Sequence, residues 1–125
     1  MRSWPSAVLV LVLGCALGCA LGCGNDHALD GNGDPACEMS HLTYQNFGEP
    51  FALDWCRGCH SAAVPPGMRQ KAPININFDT RAELMQWQDR ILMRATSEAP
   101  TMPPAGGPSA DERALLAEWL ECGGK

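Results

Sequence analysis

The chain has 125 residues, only 6% of them aromatic, with 13 Gly and 10 Pro, so a core built from protein alone would be thin and a bound group or cross-link would help to fill it. The formal charge is -5 and no run of Lys or Arg is present, which excludes nucleic acid as a partner, because phosphate binding needs clustered cations. An acidic balance of this kind suits ordinary solubility or docking to a basic patch on another protein.

Arg2 followed by the apolar stretch from Ala7 to Leu21 has the n-region and h-region of a secretory signal, which predicts a cleaved leader over 1–22. The stretch falls short of the ~20 apolar residues of a membrane helix. Leu-Gly-Cys occurs three times, at Cys15, Cys19 and Cys23, and resembles the lipobox of bacterial lipoproteins, in which the Cys is lipidated and becomes the new N-terminus. These sites depart from that pattern, which prefers Leu three places before the Cys and a small residue two before; here Val12, Ala16 or Ala20 is followed by Leu. Cleavage before Cys23 leaves Cys37, Cys56, Cys59 and Cys122 as the other cysteines and strands no extra thiol in an oxidising compartment. Cys23 is therefore the expected lipid site and Cys19 the alternative, an ordinary secretory leader or an uncleaved anchor being the other readings. The expected location is the periplasmic side of a bacterial membrane, with an N-terminal lipid as the anchor.

Residues 23–36 are polar and turn-forming and read as a flexible tether. Asp30, Asn32 and Asp34 imitate the start of a calcium loop, but Pro35 stands where that loop needs Gly and His41 where it needs Glu. Residues 37–125 then form one small domain. Its first helix is expected over Phe51 to Cys59, with Pro50 at the first helical position and Phe51 and Trp55 on one side.

That helix delivers Cys56-Arg57-Gly58-Cys59-His60, the C-x-x-C-H signature of covalent haem attachment. Two thiols three positions apart reach the two vinyl groups on one porphyrin edge, and the following His swings under the ring to ligate iron. A zinc site would need a second ligand pair at suitable spacing, and a thioredoxin-like pair would need a βαβ context; neither is visible.

The loop Ser61 to Asn77 leads to a second helix, expected over Thr80 to Ala95 with Asp79 as N-cap and Leu84, Trp87, Ile91 and Leu92 as its apolar stripe. Met102 follows in Ala-Pro-Thr-Met-Pro-Pro, 42 positions beyond His60, where flanking prolines stiffen the loop that presents its sulfur. Met68 is its chief rival as a ligand; Met39, Met85 and Met93 read as packing residues. The third helix opens with the capping box Ser109 to Glu112, carries Leu115, Leu116, Trp119 and Leu120, and stops at Gly123 and Gly124.

From Cys37 to Gly124 the chain resembles the class I c-type cytochromes, on C-x-x-C-H near the start, a Met-Pro segment some forty residues later, and a closing helix. The resemblance implies an all-α, small cytochrome c-like fold of about three helices wrapped around one covalent haem c. It implies His60 as proximal and Met102 as distal iron ligand, Cys56 and Cys59 as thioether donors, and Trp87 and Trp119 packed on the haem. A Pro carbonyl that orients the proximal imidazole would be that of Pro73, with Pro65 and Pro66 as nearer alternatives. Because first and last helices meet in this family, Cys37 and Cys122 are expected to form a disulfide, free buried thiols being the alternative.

The function implied is single-electron transfer to and from redox protein partners by a carrier that is not itself an enzyme, His/Met ligation favouring the ferrous state. The alternative is a haem enzyme subunit or gas or redox sensor with an open sixth iron position. No carboxylate pair or Ser/His constellation argues for substrate chemistry, and His27 and His41 lie outside the motif.

Overall fold

The computed structural model describes residues 33–125; the leader, the lipid-site readings at Cys15, Cys19 and Cys23, and the tether as far as Asn32 lie outside the described residues. Among those described the chain is all-α, with helical segments and no strand. None of these helices is long and apolar enough to cross a membrane.

Helix α1 (Pro35–Met39) begins two residues inside the stretch read as tether. Asp34 caps it by accepting from the Ala36 amide, and Pro35 supplies a preset φ at the first position. A wide π-turn over Tyr44–Gly48 then runs directly into α2 (Glu49–Trp55), so the first main helical run starts earlier than expected and its α-helical part ends before the cysteines. Thr43 and Asn46 close a capping box at its start.

The helix expected over Thr80 to Ala95 is broken in three. Thr80, not Asp79, is the N-cap of α3 (Arg81–Gln86), exchanging bonds with Glu83 in a second capping box. At Trp87 the backbone leaves helical geometry, with φ -107 and ψ 13, and α4 (Gln88–Ile91) restarts before widening into a π-turn over Leu92–Thr96. Leu84, Ile91 and Ala95 on these segments all face the core. Helix α5 (Ala110–Glu121) follows its expected bounds: Ser109 and Glu112 close the capping box, and Gly123 and Gly124 end it with φ 76 and 61, values that cost a residue with a Cβ.

Leu116, Trp119 and Leu120 of α5 form the centre of the core against Phe51 and Ala52 of α2 and against Leu84, Ile91 and Ala95. Gly48 is required here, since a Cβ on it would lie 2.5 Å from the Trp119 ring. The two ends are tied together: Cys37 and Cys122 sit at disulfide distance with Cα atoms 5.2 Å apart, and Lys125 Nζ donates to the Cys37 carbonyl.

Candidate functional site

Residues Cys56 to His60 form a single tight turn at the end of α2. The Cys56 carbonyl accepts from the amides of Cys59 (3.1 Å) and His60 (2.9 Å), which points all three side chains of the motif into one region. Arg57, an unspecified position in the motif, anchors the turn: its Nε donates to the Phe78 carbonyl at 2.9 Å and Nη2 to the Asp79 carbonyl at 2.6 Å and the Tyr44 hydroxyl at 3.0 Å. His60 is held from both sides, its carbonyl accepting from the Phe78 amide at 2.9 Å and its ring lying against the Phe78 ring at 4.7 Å between centroids.

Two adjoining clefts open around the motif. The first, of about 280 Å³, is walled by Phe51, Trp55, Cys56, Cys59, His60 and Met102, among others. The second, of about 290 Å³, lies beside it and shares His60, Pro73, Ala95 and Met102 while adding Ile76 and Trp87. Met102, 36% exposed, thus fronts the same space as the imidazole. Its loop is pinned to the π-turn over Leu92–Thr96, where the Arg94 carbonyl accepts from the Thr101 and Met102 amides at 2.8 and 3.0 Å. Met68 is 69% exposed and borders neither cleft, so the rival sulfur stands apart from His60.

Two expectations about the surroundings are corrected. The carbonyl that meets His60 Nδ1 belongs to Ile76, at 3.1 Å, whereas that of Pro73 accepts from Arg69 and that of Pro65 from the Met68 amide. Trp119 is 1% exposed and borders neither cleft; its ring fills the core beside Tyr44, Phe47 and Gly48. Trp87 borders the second cleft, and the first cleft adds an indole that residue order does not assign to the site, that of Trp55.

The electrostatics separate the readings of the two thiols. Cys56 and Cys59 are unpaired among the described residues, and burial pushes the Cys56 thiol up to about 12 against the opposing charge of Arg57. A thioredoxin-like nucleophile needs the opposite, a depressed thiol. Burial likewise holds His60 below its ordinary value, with the bond to Ile76 opposing and the Arg69 charge adding to the effect. A carbonyl only accepts, so Nδ1 carries the proton and Nε2 presents a lone pair. Among the described residues no three His, Cys, Asp or Glu side chains gather as a metal-ligand set, so they build no closed zinc site of four such donors.

Among the described residues no carboxylate borders either cleft, while Arg69, Lys71, Arg90 and Arg94 do. The rim is cationic on a chain of net charge -5, a local sign that composition conceals. His41 is exposed and remote from the clefts. Comparison of the chain with protein-family models, with curated proteins and with solved structures gave no match to any of them.

Proposed function

We propose that the chain is an exported, lipid-anchored electron carrier that holds one haem c covalently through Cys56 and Cys59, with His60 and Met102 as the axial iron ligands. The observation that carries this reading is the convergence of two unpaired thiols, an imidazole with a free Nε2 and a thioether sulfur on shared, largely apolar walls. That donor set suits the group: thiols one turn apart, one nitrogen ligand whose second nitrogen is already engaged, and a soft sulfur beyond it. When bound, haem supplies a reversible one-electron change at iron.

The work of the protein is positioning and insulation. The Ile76 carbonyl fixes the ring and tautomer of His60, and the Arg94 carbonyl fixes the loop that carries Met102. Phe51, Trp55 and Ala95 keep water from the buried side. Lys71, Arg90 and Arg94 at the rim favour a redox partner with an acidic face, opposite to what net charge alone suggests.

Exported protein tests the reading. Haem should remain with the polypeptide after acid extraction and add one haem mass to the intact chain. Met102→Ala should lose the far-red ferric absorption of a thioether ligand and gain carbon monoxide binding in the ferrous state. Extractable or absent pigment, or equal carbon monoxide binding by wild type, would overturn it.

A further inference from the structure

We infer that Arg69 is a positioning residue for His60, acting through a carbonyl that the two side chains share; the inference rests on the haem reading above. The Ile76 carbonyl oxygen lies 3.1 Å from His60 Nδ1 and 2.9 Å from Arg69 Nη2, so both of its lone pairs are engaged. Arg69 is 2% exposed and permanently charged. Its other hydrogen-bond partners are neutral: Nη2 also lies 2.9 Å from the Pro73 carbonyl and from Asn77 Oδ1, Nη1 donates to the Ser61 carbonyl, and Nε has no partner among the described residues.

A guanidinium buried with no carboxylate in hydrogen-bond contact among the described residues is a poor choice for loop closure alone, because the Asp79 charge acts on it only from a distance and offsets its desolvation only in part. Gln70 and Lys71 directly after it both take left-handed backbone, φ 50 and 71, an unfavourable conformation for residues with a Cβ. The fold therefore spends stability twice at one point in order to set a cation beside the proximal carbonyl.

The consequence for His60 has a definite sign. A guanidinium withdraws electron density from the carbonyl it bonds, which weakens that carbonyl as an acceptor for Nδ1–H and makes the imidazole a poorer donor through Nε2. The bare charge acts in the same direction, favouring the less positive state of a metal held at Nε2. Arg69 thus raises the reduction potential while it aims the ring.

Two measurements on the exported holoprotein test this. In wild type labelled with ¹³C at the Ile76 carbonyl, scalar coupling across hydrogen bonds is expected to both His60 Nδ1 and Arg69 Nη2; coupling to only one of them overturns the shared carbonyl. Potentiometric titration should give a lower midpoint potential for Arg69→Gln than for wild type, with Arg69→Lys, which keeps the charge and loses the fork, in between. Haem-loaded variants with the wild-type potential and an unmoved His60 Nδ1–H resonance would reduce Arg69 to a loop clasp. Wild type without covalent haem would sink the proposed function and this inference with it, whereas haem present with unchanged potentials sinks this inference alone.

Discussion

Arg113 Nη1 donates to the Met102 carbonyl at 3.0 Å, so the last helix reaches across to hold the loop that carries the methionine. The same side chain bonds the Pro108 carbonyl through Nε at 3.1 Å and the Ala95 carbonyl through Nη1, joining α5, the π-turn and the Met102 loop at one guanidinium. Arg113→Ala should cost about 1.5 to 3 kcal/mol in denaturant unfolding. The Thr101 and Met102 amides should exchange with solvent faster, and Arg113→Lys should restore only part of both, since an ammonium cannot fork. Wild-type exchange at those amides in the Ala variant would show that the loop needs no such tie.

Gly48→Ala puts a methyl group into the Trp119 ring, whose nearest atom would stand 2.5 Å away. The ring is buried, with the Tyr44 and Phe47 rings each 6.4 Å away between centroids. Overpacking should destabilise the domain by about 1 to 3 kcal/mol. Thermal and urea unfolding measure it; a neutral result would mean that the Trp119 packing is looser than these distances imply.

The pairing of Cys37 with Cys122 closes a loop of 85 residues in sequence separation. On the chain-entropy account such a closure stabilises by about 4.6 kcal/mol. Cys37→Ser with Cys122→Ser should lower unfolding stability by that order, and intact mass with and without reductant should show a two-hydrogen change in wild type. Two thiols that alkylate in native, oxidised protein would contradict the link.

Asp79 gives an acid-sensitive contact. Burial opposes ionisation there, but hydrogen bonds from Ser61 and the Ala62 amide and the charges of Arg57 and Arg69 hold its carboxyl below the ordinary aspartate range. A carboxyl depressed in the folded state stabilises that state fully above its unfolded value, and the contribution disappears as pH falls through the lower, folded value. Stability measured from neutral to strongly acid pH should therefore fall more steeply in wild type than in Asp79→Asn. Parallel curves would assign the acid sensitivity to other groups.

What could be read directly from residue order was local. The C-x-x-C-H turn and the Ser109 capping box depend on atoms three or four residues apart, and backbone geometry at that range leaves few alternatives. The Thr80 box is equally local, but Asp79 before it is also a good cap, and the Ala62 amide that engages Asp79 is distant in sequence.

The surroundings of the site were decided by how distant segments pack. Pro73 and Ile76 both lie in the loop after His60, and which carbonyl meets the imidazole depends on the path that Arg69 imposes on that loop. Trp55 and Trp119 are alike in composition and helical spacing, yet one borders the cleft and the other fills the core, because packing against Gly48 fits only the second. Arg69 and Arg113 gave no signal as single basic residues in an acidic chain. Their roles come from long side chains reaching backbone carbonyls that only the folded chain brings within hydrogen-bond range, and no periodicity encodes that reach.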